Sequence, residues 1–281
     1  MAPVNLKLSD FSGMRAKDVL GLWYGYKKII SAGLDPGPAK KLEKVFSGYG
    51  LVFERIDESY DYKGRSRTYL VAKKTSYLKA AAAAYYDSRY DAVGALMGYP
   101  ACCVKKHNAI IRGKGPMNDF VRRSAAGTGR FRWELNNILD FDGRLNGERA
   151  AGFDVSLVPH ASLISHNPCA YDCAPSLKIA RLNLALLRRH GAGSEADPAL
   201  LARPVLYADD FNFAVLNGTS GPGGAAYSGT ACVLGLEELR GALGRCDLAA
   251  VSGRRLTLSR KGRPVLQKDF PVKPLLLPFA L

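Results

Sequence analysis

The stretch His166-Asn-Pro-Cys-Ala-Tyr-Asp-Cys-Ala-Pro-Ser176 places Cys169 and Cys173 four positions apart, with His166 upstream and Pro168 and Pro175 bracketing the pair. From Leu177 to His190 the apolar residues recur at helical spacing, and Gly191 closes the run. Proline lacks the N–H a helix interior needs, but its fixed φ suits the first turn, so Pro175 marks a helix start. Cys173 is therefore expected at or beside a helix N-terminus, where partial positive charge favours thiolate over thiol. A second thiol pair, Cys102 and Cys103, lies upstream in Gly98-Tyr-Pro-Ala-Cys-Cys-Val104. Two compact pairs in one chain point to four sulfurs meeting at one site.

Working outward, Arg15 to Ala32 predicts an amphipathic helix and Ala39 to Phe46 a shorter one. Leu51 to Ile56 and Arg67 to Ala72 predict two strands, joined as a hairpin through Asp57 to Ser66. Ser76 to Gly98 predicts a helix around the alanine run Ala80 to Ala84. Pro100 opens another helix carrying Cys102, Cys103 and His107. Arg112-Gly-Lys-Gly-Pro is a loop able to meet a phosphate, although it lacks the spacing of a phosphate-binding loop. Helices are expected over Met117 to Ala125 and Trp133 to Leu139, and an apolar strand or buried segment over Val155 to Ile164. Beyond the helix from Leu177 the pattern changes to short strand-like runs: Val205 to Leu216, Ala226 to Leu234, Leu248 to Val251, Leu256 to Ser259 and Val265 to Phe270. Turn signals separate them, and Leu236 to Leu243 predicts a helix among them.

The expected fold class is α+β, with a helix-rich region over 1–195 that holds a small N-terminal hairpin, then a β-rich region over 196–281. The second region is either separate or packed into the same domain.

A chain of 281 residues can bury a substantial core. Its 47% hydrophobic and 23% charged content is that of a globular protein. No window of about 18 uncharged apolar residues occurs, and the N-terminus lacks the layout of a signal peptide, so the expected location is the cytoplasm and no membrane partner is expected. In that compartment six cysteines are expected to be reduced, metal-bound or catalytic rather than paired in disulfides. The net charge of +15 predicts attraction to nucleic acid or another anionic ligand, beside the plainer reading of a solvated basic surface. Basic residues concentrate in two places: Ala101 to Arg132 holds eight against Asp119 alone, and Gly253 to Leu281 holds seven against Asp269 alone.

Four readings of the thiols follow. A [4Fe–4S] cluster takes four thiolates, which Cys102, Cys103, Cys169 and Cys173 would supply, with Lys105, Lys106 and the helix N-terminus balancing its charge. Such a cluster would serve electron transfer, or redox or sulfur chemistry on an anionic substrate such as RNA. A structural zinc ion would take Cys169, Cys173, His166 and one upstream cysteine, with His160 a further candidate; it would stabilise a non-enzymatic nucleic-acid-binding module. A metal-free thiol enzyme would use Cys173 as nucleophile, assisted by His166 or Asp172. Finally, cysteines are common core residues, the reading that fits the solitary Cys232 and Cys246. Asp209-Asp210 could hold a divalent ion, or mark a strand end. His190 fits a favourable contact at a helix C-terminus.

The two cysteine blocks resemble an uncharacterised prokaryotic family, a domain of unknown function. Its members carry Gly-Tyr-Pro-x-Cys-Cys-Val and, later, His-x-Pro-Cys-x-x-x-Cys-x-x-Ser. The likeness covers residues 90 to 185 and implies a shared site without implying a reaction. Adjacent cysteines are also similar to those of some respiratory-complex and heterodisulfide-reductase subunits, where such pairs ligate four-iron clusters; the rest of those motifs is lacking here.

Overall fold

Ile29 and Ile30 are neighbours in sequence and point into different cores. They begin strand β1 (Ile29–Leu34), which pairs antiparallel with β3 (Gly64–Ala72), itself paired with β2 (Val52–Asp61) in the order β1-β3-β2. One sheet face, with Ile30, Ala32, Tyr69 and Val71, packs on helices α1 (Ala16–Tyr24) and α2 (Pro36–Gly48). The other, with Ile29, Leu70 and Ala72, packs on α3 (Thr75–Tyr86) and α4 (Tyr90–Leu96). These come from a computed structural model that describes residues 5–34, 36–61, 64–112, 120–140 and 161–281.

The helix expected over Arg15 to Ala32 therefore stops at Tyr24. Gly25 adopts φ +82° and donates its N–H to the Gly21 and Leu22 carbonyls, a left-handed cap that ends the helix. The β-branched pair Ile29-Ile30 then fits the two faces of a strand better than one face of a helix. The helix expected over Ser76 to Gly98 is likewise two. Ser88, at φ +55°, breaks it between α3 and α4. The segment Asp57 to Ser66, read as a connection, instead belongs largely to the ladder.

Next come α5 (Ala101–Arg112) and α6 (Phe120–Ala126). Trp133 to Leu139 forms only a 3₁₀ turn at Trp133–Leu135. Asn136 explains the stop: its side chain donates to the Leu201 carbonyl and accepts from the Ile138 N–H, replacing bonds a helix would make. Residues 161–164 are buried without regular structure, while the rest of the segment expected over Val155 to Ile164 lies outside the described residues. So do His160 and the glycine-lysine loop after Arg112.

Helix α7 (Ala174–Arg189) follows the cysteine stretch, then the short α8 (Pro198–Leu201). The C-terminal region is a seven-stranded antiparallel sheet in the order β10-β4-β5-β6-β7-β8-β9. Its strands are β4 (Val205–Asp209), β5 (Asn212–Gly221), β6 (Gly224–Leu234), β7 (Leu248–Ser252), β8 (Arg255–Arg260), β9 (Arg263–Asp269) and β10 (Leu275–Leu277), with α9 (Glu237–Arg245) between β6 and β7. The mixed α+β class with a strand-rich final third is as expected; β10, an edge strand on β4, was not foreseen.

Alternation in the central strands divides two cores. Tyr207, Phe213, Val215, Cys232 and Leu234 face the helices, in one cluster with Cys103, Tyr171, Cys173 and Leu187. Leu206, Ala214, Leu216 and Val233 face α9 and the outer strands. The C-terminal sheet and the cysteine-bearing helices thus bury apolar surface in one continuous core. No helix among the described residues is long and apolar enough to cross a membrane.

Candidate metal centre

Two helices begin at the thiols. Cys102 and Cys103 lie in the first turn of α5, directly after Pro100, and Cys173 is the N-cap of α7, with Pro175 in its first turn. Each helix brings unsatisfied N–H groups and the positive end of its dipole toward the sulfurs. Cys102 Sγ lies 3.9 Å from Cys103 Sγ and 3.6 Å from Cys173 Sγ, and Cys103 and Cys173 are 3.7 Å apart. With Cys169 included, all four sulfurs lie within 4.8 Å of one another, close enough to hold a metal ion. Cys103 and Cys173 are buried, Cys169 is half-buried and Cys102 is exposed, so the group opens to solvent on one side.

The segment carrying Cys169 is tied down on several sides. Lys106 Nζ donates to the Cys169 carbonyl at 2.6 Å and to the Arg123 carbonyl at 2.7 Å. Ser124 donates to the Pro168 carbonyl, the Tyr171 N–H to Thr128 Oγ1, and the Gly129 and Arg130 N–H groups to the Asp172 carboxylate. The Cys169 N–H reaches Cys103 Sγ at 3.2 Å. The ammonium of Lys106 thus holds the backbone at the site, and Asp172 serves a turn.

Burial pushes the Cys103 thiol well above its usual range, against hydrogen bonds from Ser176 and Cys169. Cys169 is pushed up to about 11, again by burial first and then by the neighbouring thiols. At Cys173 burial is outweighed by hydrogen bonding from Ser176, Cys169 and Cys102, and its thiol is lowered. One thiol thus ionises more readily than a free cysteine while two of its neighbours resist ionising. A cation bound among them would supply the charge that ionises the set.

His166 does not join the four-sulfur group. Its Nε2 meets Ser176 Oγ at 2.8 Å, and Ser176 Oγ in turn lies 3.3 Å from Cys103 Sγ. The imidazole packs on Tyr99, ring centroids 5.1 Å apart. Burial, together with Lys27 and Lys17, lowers its pKa to about 3, so it is neutral near pH 7.

Behind Tyr99 lies a set of charges that the sequence reading missed. Asp18 pairs with Lys27 at 2.7 Å and Arg15 at 2.7 Å, and Asp140 with Lys17 at 3.1 Å and Arg15 at 3.2 Å. Lys27 also lies 5.0 Å over the Tyr99 ring. Asp18, Asp140, Lys17 and Lys27 are buried. Burial opposes ionisation of both carboxylates, yet the facing cations hold each below its usual range. Three basic side chains face two carboxylates, and burial lowers the pKa of one of them, Lys17, against the pull of Asp140. Nothing in the sequence separates these residues from charges on a solvated helix face; folding α1 against the 161–166 segment is what buries them.

The remaining candidates have local roles. Asp209 accepts from the Phe211 N–H and the Asn212 side chain in the β4–β5 turn, and Tyr207 donates to Asp210. His107 stacks on Phe120, and His190, the C-cap of α7, meets the Tyr24 hydroxyl. Cys232 and Cys246 are buried apart from the cluster.

What fold and site define is an α+β protein with four cysteines gathered at the meeting of two helix N-termini. No protein-family model, no curated protein and no solved structure matches the chain.

Proposed function

We propose that this is a metal-binding protein whose centre is held by the thiolates of Cys102, Cys103, Cys169 and Cys173, and that a single tetrahedral ion, zinc, occupies it. The spacing of the sulfurs carries this reading. Zinc–sulfur bonds of about 2.3 Å place the corners of a tetrahedron about 3.8 Å apart; the three edges among Cys102, Cys103 and Cys173 are 3.6, 3.7 and 3.9 Å, and Cys169 completes a set within 4.8 Å. The adjacent Cys102 and Cys103 span one tetrahedral edge. The ion would fasten α5, α7 and the Cys169 segment together. The net charge of +15 supports an anionic partner, nucleic acid first, for a module built this way.

A [4Fe–4S] cluster is the second reading, favoured by the all-sulfur donor set and the adjacent pair. Its four irons each take one thiolate, which sets the ligating sulfurs farther apart than around a single ion, so the site would widen. The solvent-facing Cys102 and the half-buried Cys169 are the ligands with room to move. In this reading the protein transfers electrons or performs redox or sulfur chemistry on an anionic substrate.

The test is anaerobic purification followed by an ultraviolet–visible spectrum and iron, sulfide and zinc analysis, on the wild type and on Cys169→Ala/Cys173→Ala. One zinc per chain with no visible band, lost in the variant, supports the single ion. A broad band near ~400 nm with iron and sulfide moves the assignment to the cluster. Wild-type protein without metal sinks both.

A further inference from the structure

Cys103 is tied to a buried imidazole by a single hydroxyl. Ser176 Oγ lies 3.3 Å from Cys103 Sγ and 2.8 Å from His166 Nε2. Ser176 is fully enclosed, Cys103 and His166 are buried, and its hydroxyl and backbone N–H also reach the Cys173 thiol. Ser176 lies in the first turn of α7, after its N-cap Cys173, so one helix start presents both a thiolate and the hydroxyl that reaches a second.

A metal-bound thiolate has no proton and can only accept. A hydroxyl has one proton, so a serine that donates it to a sulfur must accept from the imidazole. We propose that Ser176, oriented by His166, is a positioning residue for the Cys103 ligand: Ser176 donates to the Cys103 thiolate and His166 donates its Nε2–H to Ser176. This deepens the four-thiolate reading and rests on it.

The surroundings agree with that direction. The same sulfur accepts the Cys169 N–H at 3.2 Å, so two donors converge on it. Tyr99 packs against the imidazole from one side, and Lys27, whose ammonium lies 5.0 Å from the Tyr99 ring centre, is paired with Asp18. His166, buried and neutral, can donate through only one of its two nitrogens, and Ser176 selects which. Partners of this kind that orient metal ligands change metal retention by about 10–100-fold when removed.

The experiment uses full-length protein whose metal content has first been measured. Histidine ¹⁵N spectra of the metal-loaded wild type are expected to show His166 protonated at Nε2. Release of metal to excess chelator is then followed in Ser176→Ala, His166→Phe, the double variant and Ser176→Thr, with circular dichroism confirming that each is folded. Phenylalanine keeps a ring against Tyr99 and removes the nitrogen. Each single variant is expected to release metal at least about tenfold faster, and Ser176→Thr, which restores the hydroxyl, to release it more slowly than Ser176→Ala. Because the groups act in series, the double variant is expected to be no faster than the faster single one. Protonation at Nδ1 instead, an unchanged rate in Ser176→Ala, or multiplying effects in the double variant would overturn the proposal. Wild type without metal would overturn the four-thiolate reading itself, a failure visible before any variant is made.

Discussion

Cys102 and Cys173 are separated by 71 positions in the chain, and their sulfurs lie 3.6 Å apart. The contact joins the starts of two helices, α5 and α7. Two like-oriented helix ends do not attract one another, since each presents partial positive charge. Anionic sulfur between them would satisfy both.

Replacing ligands separates the clustered thiols from the solitary ones. Cys103→Ser and Cys173→Ser are each expected to lower bound metal to less than about a tenth of the wild-type content, because an alcohol is a poor donor to a thiophilic ion. Cys232→Ser and Cys246→Ser are expected to retain full metal while losing some stability, since both side chains are buried in apolar cores. Metal analysis of the four purified variants decides this; equal loss in all four would mean that metal content follows folding.

Asp140 serves two buried or half-buried cations, Lys17 and Arg15. Asp140→Asn removes the negative charge facing Lys17 and Arg15 and leaves Lys17 only neutral acceptors, the amide oxygen and the Ser162 carbonyl, among the described residues. Breaking a buried pair from one side costs about 3–5 kcal/mol, and a loss of that size is expected in urea unfolding. A loss below about 1 kcal/mol would place the pair in effective contact with water.

Stability is expected to fall with acid in two steps. His166 has a native pKa of about 3 against 6.5 for the free side chain, so between these values the unfolded chain takes up a proton that the native protein refuses. Stability is therefore complete above about pH 6.5 and declines below it, by about 3 kcal/mol on going to about pH 4.5. Asp18 and Asp140 have native values below the ordinary one; their contribution is present above about pH 4 and disappears below it. Urea titrations of chelator-stripped protein across this range measure both steps. In His166→Phe the first step should vanish and the second remain.

Gly98 turns the chain between α4 and the helix carrying the cysteine pair. It sits at φ +74°, and a Cβ there would lie 2.6 Å from the Tyr26 carbonyl oxygen. Gly98→Ala combines left-handed strain with a backbone clash and is expected to cost more than about 2 kcal/mol. Gly13→Ala, at φ +90° with open space around it, should cost less. Thermal melts of the two variants give the comparison.

Much of the site was legible because its signals are local. Pro100 and Pro175 fix helix starts through ring geometry alone, which is why the placement of Cys102, Cys103 and Cys173 at helix ends follows from their neighbours. His166 shows the limit. Its position beside Cys169 is equally compatible with a ligand and with a hydrogen-bond partner, and only the direction of its ring, toward Ser176, separates the two.

By itself the sequence determined the α+β class, the turn-punctuated strands of the final third and the two compact thiol pairs, because periodicity, proline and glycine act within a few residues. The tertiary structure decided that the pairs meet, that Ile29 and Ile30 belong to a strand, and that Arg15, Lys17, Asp18, Lys27 and Asp140 form a network of ion pairs, four of them buried. Those outcomes depend on which surfaces are withdrawn from water together. A charged side chain reads the same in sequence whether it faces solvent or another charge, and only the packing of distant segments fixes which.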